Sequence, residues 1–417
     1  MAPLTGFETT GGTWTTLADE QVFLQSVVAL GERVKLVDGG VNIKGRLLQS
    51  VVVTKKSSTP DHKKPTLLFV AQQHGKECAG RESLLQLIRS WATTDDPAMV
   101  EYLENAKIVC IPTANPDGLP GVDIEAGSYY NGSEINVNRD AMNLASPEGK
   151  HIQTCYGAHN TVFVVDSHEL GGTVGTVFDF MGCEHVQHSR AIVAITAKLL
   201  PALISEASNY PGWTGRPFTA ATLNQHTLVT VAGYRNTPAV LFETAGLDPT
   251  PRLDRVEQQV RAFNVVVQFH RNNLDEISGA CASAKAVGLL RATNNDTPFR
   301  WGGTESRKTP MRYFVTTAQR STYAEHFSVF GFDETPTDGG VIVDARGNFP
   351  LCQMMMDARA EFNVFDAAPL EQETLVDSAY GPKQPSPAGP LTRSALMYVD
   401  GRFVPVRAKV RVDGSWQ

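Results

Sequence analysis

Between residues 66 and 277 short, uninterrupted apolar runs alternate with longer amphipathic segments, and that alternation constrains the fold more than any other feature. TLLFVA (66–71), KIVCI (107–111), TVFVV (161–165) and PAVLF (238–242) each have the length and continuity of a strand buried on both faces. Residues 51–53 and 175–180 add two weaker candidates, and 22–30 reads as a helix. Residues 78–92 place Leu84, Leu87, Ile88 and Trp91 on one helical face, and 189–207 reads as a helix as well. In 251–277, Leu253, Val256, Val260, Phe263, Val267 and Leu274 recur at helical spacing, with Thr250 as expected N-cap and Pro251 at the first helical position. The pattern predicts an α/β fold whose sheet is covered by helices on both faces.

After residue 285 the texture changes to short β-like runs at 312–316, 340–343 and 395–412. The last contains Asp400-Gly401, a dipeptide favoured in type I′ hairpin turns, and a Pro/Gly-rich stretch at 381–390 precedes it as a linker. The expected organisation is therefore a main domain at 1–285 and a smaller β-rich region at 286–417.

Composition narrows the function classes. Hydrophobic residues make up 42% of the 417, enough for a large core and too many for a disordered chain. With 37 Lys+Arg against 44 Asp+Glu the net charge is −7, which offers no basic stripe for nucleic acid. No apolar run in the sequence approaches the ~18 residues of a membrane span, so no membrane partner is expected. The start, Met1-Ala2-Pro3-Leu4-Thr5-Gly6, has neither a basic cluster nor an apolar stretch behind it, so a cytoplasmic protein is expected unless a leader has been removed. Six scattered cysteines with no C-x-x-C pair read as reduced and buried.

The chemistry concentrates where the apolar runs end. TLLFVA runs into Gln72-Gln73-His74-Gly75-Lys76-Glu77, where His and Glu three apart can turn onto one metal ion. TVFVV runs into Asp166-Ser167-His168-Glu169, and PAVLF ends in Glu243. Open α/β sheets build their sites at the carboxyl ends of strands. Two histidines and a glutamate suit zinc, which in catalytic sites takes three protein ligands and leaves a place for water. A further glutamate supplies the proton transfer that amide hydrolysis needs.

His74-x-x-Glu77, Asn115-Pro116-Asp117-Gly118, Asn138-Arg139-Asp140, His168 and Glu243 follow one another in the order and approximate spacing of the zinc carboxypeptidase superfamily (funnelins), which the chain resembles over about residues 60–280. The segment QQHGKECAGRESLL is similar to the bacterial carboxypeptidase and deacylase branch. The resemblance implies a mixed, mostly parallel sheet sandwiched between helices, with 1–285 as the catalytic domain and 286–417 a β-rich region that could cap the cleft. It implies one Zn²⁺ per chain on His74, Glu77 and His168, and Glu243 as general base and then acid. Asn138 and Arg139 would hold the substrate's terminal carboxylate; independently, a guanidinium fork suits a carboxylate bidentately.

Three departures stand out. The family's oxyanion arginine is expected after Asn-Pro-Asp-Gly, yet residues 119–138 contain none. Tyr129, Tyr130 and Asn131 stand there instead, with Lys76 and Arg81 as nearby cations. Asn136 occupies the place of an aspartate that supports the first zinc histidine, and an amide supports an imidazole less well. The mobile tyrosine expected about twenty residues before the catalytic glutamate is missing from 211–233; Tyr210 and Tyr234 flank that window and His226 lies inside it.

The expected function is a zinc-dependent hydrolase cleaving an amide bond next to a free carboxylate, a metallocarboxypeptidase with peptide substrates. Two alternatives stand beside it: a deacylase or amidase of a small N-acyl amino acid or specialised metabolite, and a non-catalytic binding protein on the same fold. Oligomeric state is not legible.

Overall fold

The computed structural model describes residues 2–370 apart from 171–175, 186, 219–225, 247–249, 294–298, 301–304, 307–309 and 361, and beyond 370 the four short strands named below. Contacts group Met1–Leu370 into one compact unit and Glu371–Gln417 into another.

Eight strands form the main sheet: β1 (Val34–Val41), β2 (Leu47–Val53), β3 (Thr66–Ala71), β4 (Lys107–Ile111), β5 (Thr161–Leu170), β6 (Val177–Met181), β7 (Thr214–Pro217) and β8 (Ala239–Ala245). Their order is β1-β2-β4-β3-β5-β8-β6-β7. The central neighbours β4-β3, β3-β5 and β5-β8 are parallel, as is β6-β7, whereas β1-β2, β2-β4 and β6-β8 are antiparallel. The sheet is thus mixed with a parallel centre.

Both faces are covered, and β3 shows why its run is continuously apolar. Leu67, Phe69 and Ala71 enter one core with Leu84, Ile88 and Trp91 of the helix Ala79–Thr93 and Leu199 and Leu203 of the helix Arg190–Ser208. Leu68 and Val70 enter the opposite core, with Ile152 and Tyr156 of the helix Pro147–Ala158 and Leu228 and Val229 of the helix Leu228–Tyr234. Alternate side chains of a strand face opposite sides, so a strand packed on both must be apolar throughout.

Three expectations change. The strand expected at 161–165 continues to Leu170, because Asp166, Ser167, His168 and Glu169 are buried yet find polar partners within the fold. The helix expected over 251–277 starts at Arg252, with Pro251 rather than Thr250 in the cap position. It breaks at Asn273, whose side-chain amide donates to the Phe269 carbonyl at 2.7 Å and competes with the helical ladder; a second helix, Leu274–Thr293, follows through position 285. Among the described residues one helix, Arg190–Ser208, is after all long and apolar enough to cross a membrane; it lends Ile195, Leu199 and Leu203 to the main core.

The strands Asp333–Thr337, Gly340–Asp344, Arg312–Thr316 and Ala368–Pro369 form a small antiparallel sheet in that order. Its core residues Tyr313, Val315 and Val343 join Met142, Leu144, Val231 and Tyr234, so this segment packs within the first unit. In the second unit Ala395–Val399 pairs antiparallel with Arg402–Val406, Val399 opposite Arg402, and Arg411–Val412 pairs with Ser415–Trp416. The Asp400-Gly401 turn and the 381–390 linker lie outside the described residues.

Candidate metal centre

β3 delivers the first two ligand candidates. At its end Gln72 takes a left-handed conformation (φ 59°) and its amide donates to the Gly75 carbonyl at 2.6 Å. The Glu77 N–H then bonds the His74 carbonyl at 3.0 Å, folding His74 and Glu77 into one turn. Gly75 is required here: a Cβ on it would lie 2.2 Å from the Gly118 Cα, where the Asn115-Pro116-Asp117-Gly118 loop crosses beneath. Asn115 ties the loops together by donating to the Gln73 carbonyl at 3.2 Å.

The third candidate comes from β5. His168 Nδ1 lies 2.9 Å from Glu77 Oε2, and His74 Nδ1 lies 2.9 Å from Glu77 Oε1. The two imidazole centroids are 4.7 Å apart, and the ligand atoms of all three residues lie within 4.8 Å of one another. Each ring keeps its other nitrogen for a supporting group. His74 Nε2 faces Asn136 Oδ1 at 3.2 Å, and His168 Nε2 lies 2.8 Å from Asp166 Oδ1, an ionic contact off the hydrogen-bonding direction. Two imidazoles and a carboxylate converging on a common point, with their outer nitrogens backed by oxygens, fit zinc.

Electrostatics agree with that donor set. Burial pushes the Glu77 carboxyl up, but the His74 and His168 imidazoles outweigh it and hold it at about 2. Burial pulls the His168 imidazole down, yet Asp166 and Glu77 prevail and raise it. A buried carboxylate held charged between two imidazoles is a donor set in which a divalent cation can replace protons.

Glu243 stands beside this group. It is directly opposite His168 in the β5-β8 register and opposite Asp179 in the β8-β6 register. Burial, against the pull of His168 and with the push of Glu77, Asp166 and Asp179, raises its carboxyl to about 8. Tyr129 closes another side, edge-on to His74 with centroids 5.0 Å apart.

The remaining sequence candidates separate. Asn138 is buried in the short 3-10 turn Val137–Arg139, its Oδ1 without a hydrogen bond; Arg139 is exposed, with one Nη donating to the Asn138 carbonyl at 2.8 Å. Asn136 takes the supporting position behind His74 and also accepts the Asn138 N–H at 3.0 Å. Tyr130 turns outward, lining a hollow of about 700 Å³ with Lys44, Asp117 and Asp123. Arg81 is fully buried on Glu20, Glu82 and Thr113, so it serves the scaffold. Tyr210 donates to Asp254, and Tyr234 is buried against His185 and His188, so neither flanking tyrosine faces the ligand group. Glu169 also turns away: it accepts the Ala79 N–H at the start of a helix and pairs with Arg255 at 2.7 Å.

Two supporting residues escape a reading by motif alone. Asp166 stands two residues before His168 and so shares its face of β5, a period-two signal legible once the strand is known to continue. Gln73, which donates to Asp166 Oδ1, carries no such signal.

Fold and donor set together define a metal centre built at the carboxyl end of a parallel α/β sheet. Residues 21–158 match the zinc carboxypeptidase family. That stretch holds His74, Glu77, Asn138 and Arg139; His168 and Glu243 follow it. Carboxypeptidase M of Mus musculus is 33% identical over 114 residues, covering 26% of this chain and 25% of its own length. Carboxypeptidase E of Caenorhabditis elegans is 32% identical over 124 residues, covering 27% and 26%. The chain thus spans about a quarter or less of the length of the curated relatives it matches. In fold it resembles a metallo-carboxypeptidase from Burkholderia cenocepacia (TM-score 0.51, 15% identity, 60% of this chain and 68% of that one). It also resembles one from Pseudomonas aeruginosa solved with (2-guanidinoethylmercapto)succinic acid (TM-score 0.50, 19% identity, 62% and 69%).

Proposed function

We propose that the chain is a zinc-dependent hydrolase that cleaves an amide bond next to a free carboxylate, a metallocarboxypeptidase acting on peptides. The observation that carries this reading is Glu243 standing in register beside His168, with His74 and Glu77 completing a three-ligand group. Bound there, zinc would acidify a water and polarise the scissile carbonyl. A divalent cation beside it would hold the Glu243 carboxyl ionised, so that it can take a proton from the attacking water and hand it to the amide nitrogen as the C–N bond breaks. Exposed Arg139 has no carboxylate partner among the described residues, and its guanidinium is open to a substrate's terminal carboxylate.

Mass spectrometry of a peptide pool, half with free and half with amidated C-termini, tests the proposal against the Glu243→Gln protein. Loss of single residues from free-ended peptides alone supports it, and no trimming by the wild type refutes it. The second reading, a deacylase of small N-acyl amino acids, draws on the arginine-free stretch 119–138, and the same assay with N-acyl amino acids separates the two. A reducing, cytoplasmic setting belongs to the proposal; six free, buried cysteines support it.

A further inference from the structure

Lys76 stands between the ligand candidates His74 and Glu77 in the chain, and its side chain lies over Tyr129. Its Nζ sits 3.8 Å from the centroid of the Tyr129 ring, and Tyr129 is itself edge-on to His74. The backbone pins this arrangement: the Lys76 N–H donates to the Ser128 carbonyl at 3.0 Å. Gly127, in a left-handed conformation, leaves room for the lysine stem, since a Cβ there would lie 2.9 Å from Lys76 Cβ.

The other cations nearby are committed. Arg81 pairs with Glu20 and Glu82, Arg255 with Glu169, and Arg216 with Asp179. Among the described residues neither Lys76 nor Arg139 has a carboxylate within ion-pair distance, and Arg139 is assigned to the substrate's terminus. Attack of water on an amide places negative charge on the carbonyl oxygen, and a fixed positive group facing that oxygen stabilises the transition state more than the ground state. An aromatic face holds an ammonium without neutralising it, and a four-carbon stem lets it swing.

Resting on the hydrolase reading above, we propose that Lys76, held over Tyr129, supplies the positive charge that stabilises the developing oxyanion at this site. It would do so in place of the arginine absent from residues 119–138.

The test compares the zinc-loaded wild type with Lys76→Met and Lys76→Arg. Methionine keeps the stem and loses the charge; it should lower kcat by about 100- to 1000-fold with KM held. The same variant should weaken binding of a phosphinate isostere of the cleaved peptide by the same factor. It should leave unchanged the zinc content and the affinity of the Glu243→Gln background for intact peptide. Arginine should restore most of the loss. Unchanged kcat in Lys76→Met overturns the inference, and so does equal loss of affinity for phosphinate and intact peptide, the pattern of a displaced Tyr129. A wild type that neither trims peptides nor binds the phosphinate overturns the hydrolase reading and this inference with it. An active wild type matched by Lys76→Met overturns this inference alone.

Discussion

His168 and Glu243 face each other across adjacent parallel strands, one residue opposite the other in the β5-β8 ladder. Paired positions on neighbouring strands point to the same face, so the sheet itself sets a candidate ligand imidazole beside a carboxyl group. Replacing Glu243 by Gln keeps the shape and removes the proton acceptor. Turnover should fall by about 100- to 10,000-fold while zinc stoichiometry, read by elemental analysis, stays at the wild-type value.

Asn136 backs His74 with an amide oxygen where Asp166 backs His168 with a carboxylate. Asn136→Ala removes the acceptor and should weaken zinc binding by about 10- to 100-fold. Asn136→Asp should tighten it, because a carboxylate makes the imidazole a better donor. Competition against a chromogenic chelator reads both.

Arg139 offers its guanidinium to solvent from the edge of a short turn. Arg139→Met should raise KM for free-ended peptides and reduce the preference over amidated ones, with zinc content unchanged. A steady-state comparison of the two peptide types measures it.

Arg81 is the buried cation of a different network. With Glu20 and Glu82 both paired to it, Arg81→Met leaves two buried carboxylates uncompensated and should cost about 3–5 kcal/mol of stability in denaturant unfolding.

Burial pulls the imidazoles of His188 and His270 from 6.5 down to about 3, so both are neutral in the folded protein. The unfolded chain takes up these protons below about pH 6.5 and the folded chain does not, so stability is fully present above that pH and falls as pH drops toward 3. At pH 5 each should cost about 2 kcal/mol. Thermal unfolding from pH 7 to pH 4.5 should show a falling midpoint, and His270→Leu should flatten the slope.

Much of this was legible in the chain. The runs at 66–71 and 107–111 coincide with β3 and β4, because a strand packed on both faces has only one composition available to it. The order of the motifs carrying His74, Glu77, Asn138, Arg139, His168 and Glu243 identified the family resemblance and the candidate ligands. Less legible was the length of β5: residues 166–169 are polar, and only partners far along the chain make their burial tolerable.

Local pattern, in short, determined which segments are buried and which residues carry the chemistry, since burial and periodicity act over a few residues. Tertiary structure alone decided the register that sets Glu243 beside His168 and the pairing of Asp166 behind that ring. It also turned Glu169 and Arg81 into the scaffold and laid Lys76 on Tyr129. Each of these is a contact between groups whose affinity for one another depends on charge and geometry across the fold, and a charged side chain reads the same in sequence whether its partner is a neighbour, a metal or a substrate.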